Sequence, residues 1–244
     1  MLASALGPAQ RAASLVGSDE GRTRGSCAIM PMMFRDREDA GRRLGALLAA
    51  LDLGDPLVLG IPRGGVIVAE GVGAALGAQV DLVVTRKIGA PANRELALGA
   101  IAPGVQVWDD DLLERMGVDP GYLSRAVAAE EAEIERRTTA YRRGRPAAEI
   151  AGRAVVIVDD GLATGSTALA AVRWARATGA AGVVVAVPVA APATVALLAR
   201  ETDDVIAAET PASFRAVGEW YRDFSQTSDD EVVAALDRAA GDVR

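Results

Sequence analysis

Short apolar runs alternate along this chain with longer amphipathic stretches. Runs dense in Val, Ile and Leu predict buried strands at 57–60, 81–85, 154–158, 182–189 and 204–208. Leu44, Leu47, Leu48 and Leu51 recur at helical spacing. They predict an amphipathic helix that opens at Phe34-Arg35-Asp36-Arg37-Glu38-Asp39 and is broken by Gly54-Asp55-Pro56. Further helices are expected at 66–76, 112–116, 168–177 and 192–200, and in a long stretch from Asp119-Pro120 to about 143. A last helix follows the capping sequence Ser228-Asp229-Asp230-Glu231. Residues 97–101 and 105–108 are expected to pair as a hairpin through Ala102-Pro103-Gly104. The alternation of strands and helices predicts an α/β fold. Its parallel sheet is flanked by helices, and its site lies at the strands' carboxyl ends. One domain over 34–240 is expected, with no internal repeat. Residues 1–33, rich in Ala, Gly, Ser and Arg, read as a disordered extension or an over-called start, without the apolar core of a secretory signal.

Composition narrows the chemistry. The net charge is −7, which argues against non-specific nucleic-acid binding. No apolar run is long enough to span a bilayer. The single Cys27 excludes an internal disulfide and points to a reducing, cytoplasmic compartment. There is no histidine, which removes Ser-His-Asp catalysis and imidazole metal sites together. Any metal is therefore expected to be an oxygen-liganded ion such as Mg²⁺, shared with substrate phosphates. Lys87 is the only lysine among many arginines. Asp109-Asp110-Asp111 opens a helix and reads as a cap rather than a metal site. The charges of the long helix after Pro120 read as a solvated face.

The densest chemistry lies in residues 154–167, AVVIVDDGLATGST. A buried strand ends in Asp159 and Asp160, and a turn from Gly161 to Thr167 enters a helix. A helix start offers unpaired N–H groups and a positive dipole end to a phosphate. Gly165 admits close backbone approach, and Thr164, Ser166 and Thr167 supply hydroxyls. The two carboxylates can accept hydrogen bonds from vicinal hydroxyls, so the unit suits a ribose 5-phosphate.

This segment resembles the 5-phosphoribosyl-1-pyrophosphate (PRPP) motif of type I phosphoribosyltransferases and is nearest to that of the adenine enzymes. Asp159, Asp160, Gly161, Ala163, Thr164, Gly165, Ser166 and Thr167 are then the ribose and phosphate contacts. Gly161 stands where a bulkier apolar residue is common, so a looser turn is expected. Residues 57–65, LVLGIPRGG, resemble the pyrophosphate loop, with Arg63, Gly64 and Gly65 as contacts. The resemblance implies a cis peptide between Pro62 and Arg63. Residues 86–100, RKIGAPANRELALGA, sit where the family has its flexible catalytic loop and implicate Arg86, Lys87 and Glu95. Glu95 is either a base-contacting acid or an exposed carboxylate, and Ala163 replaces an Asp that faces the purine in hypoxanthine-guanine enzymes.

Residues 214–229 share a run with a group of bacterial proteins known as predicted phosphoribosyltransferases. In characterised relatives the C-terminal region forms a small hood over the base. Phe214, Trp220 and Tyr221 are either a stacking surface there or part of the core. The resemblance implies PRPP and a base or other amine as partners, with Mg²⁺ held by Asp159 and Asp160 through ribose or water. It also implies pyrophosphate release. A non-catalytic PRPP or nucleotide sensor on the same fold is the rival reading. The acceptor and the oligomeric state, a homodimer among the options, are left open.

Overall fold

The computed structural model describes residues 33–94 and 96–242. The expected extension over 1–33, apart from Met33, and the candidate Glu95 lie outside the described residues. A five-stranded parallel sheet forms the centre, in the order β2 (Val80–Leu82), β1 (Leu57–Gly60), β6 (Ala154–Val158), β7 (Gly182–Val189), β8 (Asp204–Glu209). Successive side chains of a strand point to opposite faces. Leu57, Leu59, Val155, Ile157, Val183 and Val185 accordingly pack with Leu169 and Val172 of α5 (Ser166–Ala177). Val58, Val156 and Val158 pack on the other face with Leu44 and Leu48 of α1 (Arg37–Leu48) and Val68 and Val72 of α2 (Gly64–Leu76). Covering both faces is what requires the strands to be apolar throughout.

The remaining elements set the rim of the sheet. A second, antiparallel sheet runs β3 (Arg86–Gly89), β4 (Ala97–Ala102), β5 (Val105–Trp108). Two helices follow, α3 (Asp110–Met116) and the long α4 (Pro120–Arg142). Asp109 and Asp119 cap them, accepting from the N–H groups of Leu112 at 2.9 Å and Tyr122 at 2.8 Å. After α6 (Pro192–Leu198) and β8, an irregular stretch contains one 3₁₀ turn, Val217–Trp220. It ends at α7 (Asp229–Asp242), where Ser228 and Glu231 form the expected capping box.

Three expectations change. The strand expected over 81–85 pairs only as far as Leu82 in the parallel ladder; the chain then turns into β3. Arg86 and Lys87 lie opposite Ile101 and Ala100 in an antiparallel ladder, so the segment expected as a flexible loop begins as a strand. Burial of Ile88 holds it there. The charged face of α4 is also only partly solvated. Arg142 donates to Asp81 Oδ2 at 3.0 Å and Oδ1 at 3.3 Å, and Asp81 also accepts from the Leu82 and Ala148 N–H groups.

Asp81 is buried, and it joins the sheet edge to α4 and to the segment that follows it. Asp81→Ala would leave a half-buried guanidinium and a buried N–H unsatisfied. We expect a loss of about 3 kcal/mol of unfolding free energy. A urea unfolding midpoint within error of the parent would show the pair to be energetically idle.

Candidate phosphate and ribose site

The acid pair, the turn and the R-G-G loop lie at the carboxyl ends of β6 and β1. β6 ends in the acid pair, and the Asp160 N–H donates to Asp159 Oδ1 at 2.8 Å. Arg37 Nε donates to Asp160 Oδ2 at 2.8 Å, and the Tyr221 hydroxyl donates to the Asp160 carbonyl at 2.7 Å. Burial pushes the Asp159 carboxyl well above the ordinary carboxylate range, and the adjacent Asp160 charge adds to the rise; the Lys87 charge opposes it. Burial likewise pushes the Tyr221 phenol up, with the Asp160 charge adding to it, so Tyr221 stays a neutral donor.

The turn after the acids is fixed at each step. A parallel bridge joins Leu162 to Ala190: Leu162 N–H donates to Val189 and Ala191 N–H returns to Leu162, both at 2.9 Å. The Thr194 hydroxyl donates to the Ala163 carbonyl at 2.5 Å. Gly165 then takes a left-handed φ of 75° and caps α5. Among the described residues no side chain caps that helix start, so its leading N–H groups are left to the turn, where Ala163 and Thr164 are exposed. Thr164 Oγ1 and Ser166 Oγ lie 3.5 Å apart at its mouth. Gly161 does not loosen the turn. A Cβ there would come within 2.5 Å of Val217 Cγ1, so Val217 fills the volume from the C-terminal segment.

The R-G-G loop lies directly against the acid pair. The Pro62–Arg63 peptide is cis, as expected. A Cβ on Gly65 would lie 2.7 Å from the Val158 carbonyl and 2.9 Å from Asp159 Cα, and one on Gly64 would overlap the Asp160 carboxylate. Arg63 Nη1 lies 3.8 Å from Asp229 at the start of α7. Beyond the loop is a cavity of about 610 Å³ lined by Pro62, Thr85, Arg86, Lys87, Tyr122 and Thr167, among others. It thus runs from Pro62, just before the R-G-G stretch, to the first turn of α5. Arg86 Nε is held by Glu130 of α4 at 2.6 Å, while Lys87 is exposed. The Thr85 hydroxyl is buried without a partner among the described residues.

The candidate aromatics separate. Tyr221 is 5% exposed and lies between Phe34 and Phe224, with ring centroids 5.4 and 5.0 Å away, so it belongs to the core of the hood. Trp220 packs partly buried against the same cluster, and Phe214 is half-buried. Residues that touch the candidate groups without having been singled out by sequence include Arg37, Glu130, Thr194 and Val217. Each reaches its partner across the fold, and no local spacing marks it.

An apolar strand, two acids, an uncapped helix start and an adjoining glycine loop thus meet in one α/β domain. The chain belongs to the phosphoribosyl transferase domain family, whose profile matches residues 38–218. Two Mycobacterium tuberculosis proteins, one from each of two strains and provisionally named phosphoribosyl transferases, are 49% identical over 211 residues, 86% of this chain. That match is 48% of each relative, so the chain spans about half the length of these curated relatives. The crystal structure of TT1426 from Thermus thermophilus is also similar, at 45% identity with a TM-score of 0.72. The match covers 84% of this chain and 98% of that one.

The raised Asp159 carboxyl gives a pH prediction. A carboxyl whose folded pKa exceeds its unfolded value costs stability at pH above that folded value. The cost shrinks as pH falls through the raised value toward the ordinary 3.8. Without ligand, Asp159→Asn should therefore melt higher than the parent at pH 7. The gap should close as pH approaches the ordinary carboxylate range. Melting curves that stay parallel across that range would contradict a raised Asp159 carboxyl.

Proposed function

We propose that the domain transfers the 5-phosphoribosyl group of PRPP to a nitrogen nucleophile and releases pyrophosphate. The observation that carries this is the contact between the R-G-G loop and the acid pair, so close that a Cβ on Gly64 would overlap Asp160. A diphosphate on the loop and a ribose on the acids would then be neighbours, as they are in PRPP.

In this reading the uncapped start of α5 binds the 5-phosphate, with Thr164, Ser166 and Thr167 as hydroxyl donors. Asp159 and Asp160 orient the ribose hydroxyls. The nitrogen attacks C1 as the bond from C1 to the pyrophosphate oxygen breaks. The electron pair leaves with pyrophosphate, and the nitrogen loses its proton. Arg63, Arg86 and Lys87 stabilise the departing charge. The acid pair offers hard oxygen ligands but too few to cage a metal alone, and no group of three or more candidate ligands occurs among the described residues. Mg²⁺ held jointly with PRPP oxygens fits such a donor set and would neutralise diphosphate charge. Phe214 and Trp220 remain as base-facing candidates, and Glu95 as a loop acid.

PRPP with Mg²⁺ should raise the melting temperature of the parent, by about 2.7 kcal/mol of stability at a hundredfold excess over Kd. Asp160→Asn should lose most of that rise. Equal rises in both proteins would remove the acid pair from the site. Pyrophosphate release should be assayed against a panel of bases and amines; PRPP binding without turnover on any of them would favour the sensor reading.

Lys87 lies on the cavity wall, and its charge reaches Asp159. If it meets the departing pyrophosphate, Lys87→Arg should lower turnover about tenfold, near 1.4 kcal/mol of barrier, with little change in stability. Unchanged turnover would reduce Lys87 to a solvated charge.

A further inference from the structure

Arg37 belongs to the first turn of α1, far from the acid pair in sequence, yet it is built into the site. Besides its bond to Asp160 Oδ2, its Nη1 donates to the Ser225 carbonyl at 2.7 Å, and its guanidinium carbon lies 4.0 Å over the Phe224 ring. The arginine side chain is only 12% exposed and that of Asp160 18%. A planar guanidinium suits this arrangement: its edge donates to two oxygens while its face covers an aromatic ring. The backbone under it is fixed as well. The Asp36 carboxylate caps α1 on the Asp39 N–H at 2.7 Å, and Phe34, two residues earlier, is bridged to Tyr221.

A second observation points the same way. A Cβ on Gly64 would overlap both Arg37 Nε and Asp160 Oδ2, so the R-G-G loop is moulded around the ion pair. An exposed ion pair contributes little to stability and needs no such shaping of its neighbours. Arg37 uses one carboxylate oxygen, and an ionised carboxylate accepts at both. The other oxygen can therefore meet a sugar hydroxyl while the ion pair is intact.

We propose that Arg37 is a positioning residue, which fixes the Asp160 carboxylate so that its second oxygen receives a ribose hydroxyl. This rests on the reading of the acid pair as the ribose site. Asp160 would otherwise be free to change rotamer at the end of its strand. With Arg37 in place, its orientation is tied to Ser225 and Phe224, and so to the C-terminal cover.

The test compares ribose 5-phosphate with 2-deoxyribose 5-phosphate by titration calorimetry, on the parent, Arg37→Gln and Arg37→Lys. Both probes carry the phosphate, and only the first carries the 2-hydroxyl. The parent should prefer ribose 5-phosphate by at least about tenfold, the worth of a hydrogen bond to a charged group. In Arg37→Gln the preference should collapse while 2-deoxyribose 5-phosphate binds as before; Arg37→Lys should recover part of it. A purely structural role would weaken both probes alike and leave the ratio unchanged, which would overturn the proposal. Tighter ribose 5-phosphate binding by Arg37→Gln would also overturn it, by making Arg37 a plug. If Arg37→Gln does not fold, Phe224→Leu frees the guanidinium face without removing the ion pair, and the preference should narrow; an unchanged ratio there overturns the proposal too. A parent that binds neither probe, nor PRPP with Mg²⁺, would sink the ribose reading itself, whereas a discriminating parent with an equally discriminating Arg37→Gln would sink only the role of Arg37.

Discussion

Two consecutive carboxylates at the end of a buried strand are an electrostatic burden. Desolvation penalises each charge, and each penalises the other. The structure relieves the two unequally. Asp160 receives a guanidinium, whereas Asp159 receives one backbone N–H and the distant charge of Lys87, and burial holds the Asp159 carboxyl above the ordinary range. Much of the surrounding architecture follows from supplying those partners. The glycine loop must carry no side chain because the ion pair occupies that space. The hood must come close enough for Tyr221 and Phe224 to reach the pair's backbone and its arginine.

The helix start beyond the acids is governed by an opposite rule, that of donors left without side-chain acceptors. The start of α5 has no side-chain cap, and the turn before it is nevertheless held still by Ala190, Val189 and Thr194. Rigidity is thus supplied by bonds that do not consume the leading N–H groups of the helix. Such preorganisation spares the site a reordering cost on binding.

The central sheet was legible because parallel strands covered on both faces must be apolar at every position, and β1, β6 and β7 have no other plausible place. The end of β2 was not. Val83, Val84 and Thr85 are as β-branched and as buried as a strand, yet they leave the ladder. Arg86-Lys87-Ile88-Gly89 has no apolar alternation, and only its pairing with β4 makes it a strand. The acid pair, the turn and the glycine loop could be read because each is contiguous. Arg37 could not, because it acts on a residue 123 positions away. The aromatics were ambiguous for a related reason: composition reveals that rings cluster, and only packing reveals which ring is enclosed.

The bridge between Phe34 and Tyr221 has a consequence for how the domain assembles. It closes one of the longest loops in the chain, and the neighbouring bond from Arg37 to Ser225 spans 188 residues. Contacts of such sequence separation are entropically costly and form slowly relative to local ones. During synthesis, the strands and the turn before α5 can dock before residues 221–225 have emerged, but Asp160 can acquire its full set of partners only afterwards. An acid pair with all its partners therefore certifies that the chain has closed on itself, and a partly folded chain presents the turn without the properly held acids.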